Sequence, residues 1–319
     1  MISQKKFIVS HAPFWHCGRS VSERSYHTML AAVPAVLAGI ISYGPPALGV
    51  VAFSIATAML WEVAFNRIAK QPISIGDGNA ALIGMVLAML MPATMPWWGV
   101  LVGTFIAIFI GKMIFGGIGS NPFNPVIIAV AILMVSWKHL FDFDGMLVNY
   151  NLEFLTISPL VALKSFGVQA TTQFNPLDLL LGRQVGGIGA TFGLGIILGG
   201  LYLILRGFIR WEISISFLVG IAVTAVLFNL LNPAKYGGPL IHLLSGYTLL
   251  GAFFLATEDS SSPVNMIPMF IYGALGGVMT VLIRNIGIYA DGVVYAILVI
   301  NLVNPLLDKI RPKAIGKVA

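Results

Sequence analysis

The chain has 319 residues, of which 58% are hydrophobic and only 9% are charged, and its mean hydropathy is +0.92. This composition excludes an ordinary soluble domain, and the formal charge of +6 does not indicate nucleic-acid binding, because Lys and Arg lie at the ends of apolar runs. The single cysteine, Cys17, excludes an intramolecular disulfide and a cysteine-held iron-sulfur cluster, so any redox chemistry needs an organic cofactor.

The first half begins with a polar segment. Residues 1–25 lack the apolar stretch and cleavage site of a signal peptide, so we expect a cytoplasmic N-terminal segment and a first span that directs insertion. Residues 26–138 are predicted to form the first membrane repeat. Apolar windows bounded by Gly, Pro or charge predict its five helices near 26–43, 47–66, 78–92, 97–115 and 122–138.

Two polar features lie within this half. Asp77 precedes the third helix and could be its N-cap. The run GGIGSNPFNP at 116–125 has two interpretations that the residues leave open. It could be a turn whose prolines start a helix and whose amides satisfy backbone groups. It could also be a ligand loop, in which glycine admits a planar ring and Asn121 or Asn124 bonds the edge of a uracil-like heterocycle.

A polar linker, 139–189, follows and is too polar to span the membrane. It leads into the Gly-rich run VGGIGATFG at 185–193. Thr191 could simply be the N-cap of the sixth helix. Its rival role is a hydroxyl in an accessible, Gly-flanked loop that accepts a phosphoester-linked group. The spacing of residues does not choose between these roles.

The second membrane repeat is predicted over 190–308, with a cytoplasmic basic tail at 309–319. Glu258 and Asp259 interrupt an apolar helix where desolvation of a carboxylate is costly, so cation binding, proton relay and helix capping all stay open. No metal site is predicted. The five helices of this half are predicted near 190–206, 212–231, 240–257, 265–284 and 290–308.

The distribution of basic residues predicts the orientation. With the N-terminus inside, 13 of the 18 Lys and Arg residues lie on the inner side, and the reverse orientation inverts that bias. We therefore expect both termini in the cytoplasm and the linker 139–189 outside. The basic residues predicted to be outside are Lys138, Lys164, Arg183, Lys235 and Arg284.

A weak repeat relates the two halves. Gly84 and Pro96 are matched by Gly251 and Pro263, each pair in an apolar helix that ends at a polar, Pro-containing break. Because each half has an odd number of spans, the second half enters the membrane from the opposite side. The sequence thus predicts an all-α polytopic membrane protein of about ten helices in a five-plus-five inverted repeat, with sites at the broken helices.

Taken together, these motifs resemble one family, the D subunit of Rnf-type ion-translocating electron-transport complexes, homologous to the B subunit of the sodium-pumping NADH:quinone oxidoreductase. They cover most of the chain in order, which is more specific than any single motif. The matching stretches are HCGRSVS, DGNAALIGMVLAMLMPATMPWWGVLVGTFIAIFIGK, FGGIGSNPFNP, GGIGAT, ATEDSSSPV, IYGALGGVMTVLIR and ADGVVYAILVINLVNPLLD.

The resemblance implies a fold similar to urea transporters and two flavins. In the family, a flavin transferase joins FMN through its phosphate to the Thr of a Ser-or-Thr-Gly-Ala-Thr motif, which here is Thr191 preceded by Gly189 and Ala190. Ile188 departs from the motif, where a polar residue is usual. The loop with Gly119, Asn121 and Asn124 resembles the segment associated with a second, non-covalent flavin, expected to be riboflavin.

The resemblance also implies the partners. We expect other membrane and peripheral subunits of the complex, including a second flavin-bearing subunit and iron-sulfur subunits, in the bacterial cytoplasmic membrane. The expected function is electron transfer through flavins coupled to Na⁺ or H⁺ movement, with Glu258 and Asp259 as candidates for the ion pathway. The alternative is a solute channel of the urea-transporter type, which would carry no covalent FMN.

Overall fold

A computed structural model describes residues 20–147, 150 and 154–310, without the side chain at 146. Every regular element in this part of the chain is helical. The expectations for residues 1–19, including Cys17, and for the basic tail from 311 onward lie outside the described residues. The chain is an all-α polytopic membrane protein.

The first half has five helical segments separated by short turns. A Ser20 hydroxyl accepts the Glu23 amide at 3.0 Å and caps the first helix. Pro45 and Pro125 each stand at a first helical position, where proline costs no hydrogen bond. The helices are α1 (Val21–Tyr43), α2 (Pro45–Ile68), α3 (Asn79–Leu90), α4 (Trp97–Phe105, continued by a π-helical turn at Ile106–Ile110) and α5 (Pro125–Ser136).

Short helices occupy the described part of the predicted linker. None is longer than eight residues, so none can cross a bilayer. The domain boundaries themselves stay predictions. The helices are α6 (Phe143–Met146), α7 (Pro159–Phe166), α8 (Val168–Thr171) and α9 (Pro176–Leu180).

The second half repeats the pattern with one difference. Its helices are α10 (Gly193–Leu205), α11 (Trp211–Leu231), α12 (Pro239–Leu244), α13 (Thr248–Leu250, continued by a π-helical turn at Gly251–Leu255), α14 (Met266–Asn285) and α15 (Val293–Leu307). The single helix predicted over 240–257 is wrong, because the chain breaks between Leu244 and Thr248. Gly246 lies in the left-handed region there, with φ +66°.

Side chains from distant helices satisfy the groups that this break frees. The Arg284 guanidinium donates to the His242 carbonyl at 2.7 Å and to the Ser245 carbonyl at 3.4 Å. Asp291 accepts the Tyr247 amide at 2.6 Å. Non-helical backbone at membrane depth needs such partners, since lipid supplies none.

Lengths and contacts fit the predicted repeat. Five segments are long and apolar enough to cross a membrane, namely 21–43, 45–68, 97–115, 211–231 and 266–285, and α3, α5, α10 and α15 are shorter apolar helices. The first helix of each half packs against the other, α1 on α10, and so do the last helices, α5 on α15. Contacts between equivalent helices of the two halves are compatible with a two-fold inverted repeat. Similarity to urea transporters stays a prediction.

Candidate functional site

The loop that contains Thr191 is fixed to the end of α3. The Ile188 amide donates to the Met91 carbonyl at 3.0 Å, and the Gly189 amide donates to the Met89 carbonyl at 3.1 Å. The Tyr247 hydroxyl donates to the intervening Leu90 carbonyl at 2.7 Å. Three carbonyls left free where α3 ends are therefore satisfied by the second half of the chain, which holds the loop in place.

Glycine is required for this close approach. A Cβ at Gly189 would lie 2.4 Å from the Met89 Cγ, and one at Gly187 would lie 2.5 Å from the Met89 carbonyl oxygen. Any larger residue would push the loop away from α3. The Gly-rich character of the predicted attachment motif thus has a packing reason in this chain.

Thr191 does not cap α10, the sixth of the predicted membrane helices. That helix begins at Gly193 with Phe192 as its N-cap residue, and no side chain bonds its free amides. No group among the described residues hydrogen-bonds the Thr191 hydroxyl. The capping interpretation of Thr191 is therefore wrong. The expected exposure of this side chain is also wrong, because Thr191 is buried, although it lines a cavity.

Thr191 and Ala190 line a cavity of about 650 Å³, here called the Thr191 cavity. Small-molecule and cofactor sites in proteins typically have volumes of about 300–1,000 Å³, so the Thr191 cavity lies within the range expected of a cofactor site. Ile188 does not line the cavity, and its side chain is fully buried. The walls also carry polar, charged and aromatic residues from the end of the first repeat, the linker and the second repeat: Lys138, His139, Asp142, Phe143, Asp144, Lys164, Gln184, Tyr247, Tyr289 and Asp291.

The buried side chain of Gln184 fixes the loop that contains Thr191. Its Nε2 lies within hydrogen-bond distance of the carbonyls of Leu179 (3.0 Å), Leu244 (2.8 Å) and Thr191 (3.3 Å). Its side chain is buried, so it ties α9, α12 and the Thr191 loop together beneath the cavity. Sequence reasoning did not identify this residue.

Two ionisable side chains of the cavity wall have shifted pKa values. Burial raises the pKa of Asp144, against a hydrogen bond from the Ser158 amide that lowers it. Burial lowers the pKa of Lys164. The Lys164 ammonium donates to the Gly287 and Tyr289 carbonyls at 2.6 and 2.8 Å. Both charged groups therefore sit where water is partly excluded.

The second predicted site lies at the other end of the bundle. Gly39 of α1 contacts Ile188 beside the Thr191 loop, whereas Arg24 of α1 forms an ion pair with Asp259. Fifteen helical residues separate these contacts, a distance of about 22 Å along the axis. Asn121, Asn124 and Glu258 line a cavity of about 80 Å³ there, here called the Asn121 pocket.

The amides of this pocket are already engaged. The Asn124 Oδ1 caps α5 by accepting the Val126 and Ile127 amides, and its Nδ2 donates to the Leu255 carbonyl at 2.9 Å. The Asn121 Nδ2 donates to the Phe123 carbonyl at 3.0 Å and to Glu258 at 3.3 Å. The backbone role predicted for these amides is confirmed.

A flavin does not fit the Asn121 pocket as it stands. Its 80 Å³ is well below the volume that a cofactor needs. Gly119 lies outside its lining, although open space surrounds this residue. Riboflavin binding at Asn121 and Asn124 therefore stays a prediction that requires the pocket to widen.

Three acidic predictions have different outcomes. Asp77 accepts the Asn79 amide at 2.8 Å, so it serves the start of α3, although Gly78 is the formal N-cap residue. Glu258 lines the Asn121 pocket and accepts the Ser261 amide at 2.9 Å. Asp259 is 58% exposed and pairs with Arg24. The two adjacent carboxylates thus face different surroundings.

Sequence reasoning missed a buried ion pair beside the Asn121 pocket. The Lys112 ammonium lies 3.0 Å from both oxygens of Glu62, and both side chains are almost completely buried. The Ser74 hydroxyl donates to Glu62 at 2.5 Å. Glu62 inside the apolar α2 was a usable signal, because an intramembrane carboxylate needs a partner.

The opposite end has a matching pair. Arg284 of α14 is buried and lies 2.9 Å from Asp291, which lines the Thr191 cavity. Lys112 and Arg284 both end the fourth membrane segment of their half, 97–115 and 266–285. One buried cation therefore accompanies each of the two candidate sites.

Comparisons with known proteins show the family of the chain. The family described as NQR2, RnfD, RnfE matches residues 8–316. In Clostridium ljungdahlii, the D subunit of the proton-translocating ferredoxin:NAD(+) oxidoreductase complex is 35% identical, over 97% of this chain and 95% of its own. In Cronobacter sakazakii, the D subunit of the ion-translocating oxidoreductase complex is 33% identical, over 97% and 99%. The Yersinia enterocolitica protein of that name is 33% identical, over 97% and 98%.

Proposed function

Because the chain belongs to the NQR2, RnfD, RnfE family, we propose that it is the flavin-carrying membrane subunit of an ion-translocating ferredoxin:NAD⁺ oxidoreductase complex. Its relatives are subunits of oxidoreductase complexes, and the chain is one subunit of such a redox enzyme rather than a complete enzyme. The family result favours this role over the solute channel. The coupled ion, Na⁺ or H⁺, is left open.

One observation carries the flavin part of the proposal. The Thr191 hydroxyl has no hydrogen-bond partner in the described part of the chain, and Thr191 lines a cavity of about 650 Å³. FMN esterified there through its phosphate would supply one- and two-electron chemistry to a chain that has a single cysteine. Gly189 and Ala190 set the position of the hydroxyl.

The chain's own residues would hold and tune this group. Gln184 fixes the attachment loop to α9 and α12. Lys138 and Lys164 in the wall place positive charge beside the cavity, and Phe143 and Tyr247 provide flat apolar surfaces. The wall also carries Asp142, Asp144 and Asp291, so its charges are mixed and do not by themselves favour one redox state of the flavin.

The Asn121 pocket supports a more limited proposal. Glu258 and Asp259 are candidates for the ion pathway, and Glu258 has the stronger support because it lines a buried pocket beside Lys112. Ion transport per electron, measured in vesicles that contain the whole complex, should fall in Glu258→Gln. Asp259→Asn should have the smaller effect. Unchanged transport in both variants removes these carboxylates from the pathway.

The partners and location follow from the same family. We propose that other subunits of the complex, including a second flavin-bearing subunit and iron-sulfur subunits, exchange electrons with this chain in the bacterial cytoplasmic membrane. A flavin transferase would attach FMN from the side on which Thr191 lies. The positive-inside bias places that side outside the cytoplasm.

Covalent flavin is the decisive test. The protein is made together with a flavin transferase of the producing organism, denatured and separated by electrophoresis, and its in-gel fluorescence is recorded. The wild-type band should fluoresce, and Thr191→Ala should lose the signal completely, because alanine has no hydroxyl to form the ester.

Thr172→Ala is the matched control, since Thr172 is an exposed threonine of the linker that precedes Thr191. Its band should fluoresce like the wild type. A non-fluorescent wild-type band, or equal fluorescence in Thr191→Ala, would reject the covalent assignment. Equal amounts of protein in the membrane fraction exclude misfolding as the cause of a lost signal.

A further inference from the structure

A second cavity lies beside the Thr191 cavity. Its volume is about 380 Å³, and it is here called the Lys235 pocket. It shares Leu160, Lys164 and Ala290 with the Thr191 cavity, so both open at the same end of the bundle. Its walls come from α7, the turn after α11, α12 and the end of α14. Neither the attachment loop nor Thr191 takes part in it.

The ionisable side chains of this pocket are basic. Lys164, Lys235, His242 and Arg284 line it, and no carboxylate does so among the described residues. Lys235 stands 5.2 Å from the centre of the Tyr236 ring, and neither it nor Lys164 pairs with an acid in the described part of the chain. Asp291 pairs with Arg284 but with neither of the two lysines. The pocket therefore carries uncompensated positive charge.

The buried polar atoms of the pocket also lack acceptors. The Arg284 Nε, the Asn285 Nδ2 and both ring nitrogens of His242 are buried without a hydrogen-bond partner. The first two can only donate. An unpaired buried donor is costly, so several in one pocket suit a ligand that is rich in acceptor oxygens.

The mouth of the pocket adjoins an apolar surface. Leu230 and Leu231, in the last turn of α11, are 73% and 79% exposed. They directly precede Asn232, which lines the pocket. An acyl chain lying along α11 would bring its headgroup to this mouth, next to the cations.

We propose that the Lys235 pocket binds a phosphate group. Lys164 and Lys235 match the negative charge of a phosphate, and the unpaired donors of Arg284 and Asn285 match its oxygens. The phosphate could belong to an anionic phospholipid headgroup or be free in solution, and the two sources are separated by experiment. In either case the bound anion would stabilise the break between α12 and α13, because Arg284 holds both.

Native mass spectrometry of the delipidated whole complex provides the test. The complex is titrated with phosphatidylglycerol, phosphatidylcholine or inorganic phosphate, and the tightest binding step is measured. We expect tight binding of an anion and weaker binding of phosphatidylcholine. The double variant Lys164→Gln, Lys235→Gln should weaken the anion step about 25-fold, since each basic residue near anionic lipid contributes about fivefold.

Arg183→Gln is the control, because Arg183 is an exposed basic residue outside the pocket. It should bind like the wild type. Binding of phosphatidylglycerol but not inorganic phosphate identifies a lipid, and the reverse identifies free phosphate. If the double variant does not assemble, the exposed single change Lys235→Gln should still weaken binding about fivefold. Anion binding that is equal in the wild type and the variants overturns the proposal.

Discussion

The Thr191 cavity and the Asn121 pocket lie at opposite ends of the bundle, and each contains residues that the sequence links to a flavin. The Thr191 cavity has about 650 Å³ and a hydroxyl without a partner among the described residues. The Asn121 pocket has about 80 Å³, and its amides bond the backbone and Glu258. One end is ready for a ligand, while the other is closed by its own side chains.

This difference teaches how to weigh a polar motif in a membrane protein. An amide beside a helix start first satisfies backbone groups, because lipid cannot do so. Asn124 does this for α5. A hydroxyl that serves no backbone group, as at Thr191, is the stronger indication of chemistry. The two ends should therefore respond differently to substitution.

The largest expected effect concerns the closed end. Glu62→Gln leaves the buried Lys112 ammonium without its counter-charge, and breaking such a pair costs about 3–5 kcal/mol. We expect a much lower midpoint in thermal unfolding of the purified complex. Fluorescence of the covalent flavin per folded protein should not change, because Thr191 lies at the far end.

The double variant Glu62→Gln, Lys112→Met is the control for this prediction. It removes both charges, so it should be more stable than Glu62→Gln alone. Equal stability of the wild type and Glu62→Gln would show that the ion pair does not hold the closed end together. The contrast between the two ends would then lose its energetic basis.

Much of the fold could be predicted from sequence, because apolar length alone locates membrane helices. Each predicted window coincides with a helix, to within a few residues at its ends, apart from 240–257. That window is mostly apolar, and its break depends on Arg284 and Asp291, which lie far along the chain. Local hydropathy cannot report such distant partners.

The candidate site was less predictable. The loop residues Gly189, Ala190 and Thr191 could be identified from their motif. The size of the cavity beside them depends on where the linker helices pack, which no local pattern encodes. Gln184 was missed for the same reason, because its three carbonyl partners come together only in the fold. The Asn124-Pro125 pair, in contrast, is a recognisable helix start.

The smallest expected effect concerns the end of the bundle that holds the Thr191 cavity. It tests whether the charge of a carboxylate in the cavity wall destabilises the folded protein. Burial raises the pKa of Asp144, so the folded state binds a proton at this carboxyl more tightly than the unfolded chain. Proton binding at Asp144 therefore stabilises the folded state. This stabilisation is fully present below the ordinary pKa of an aspartate and is lost as the pH rises through the pKa that Asp144 has in the folded protein. Asp144→Asn keeps an oxygen that accepts the Ser158 amide, and because asparagine does not ionise, the variant does not lose this stability at neutral pH. At neutral pH we expect a thermal midpoint about 1–2 °C above the wild type, and the gap should close in acid. If the difference in thermal midpoint between Asp144→Asn and the wild type were the same at every pH, packing and not charge would cause it. The charged form of Asp144 would then cost the Thr191 end no stability.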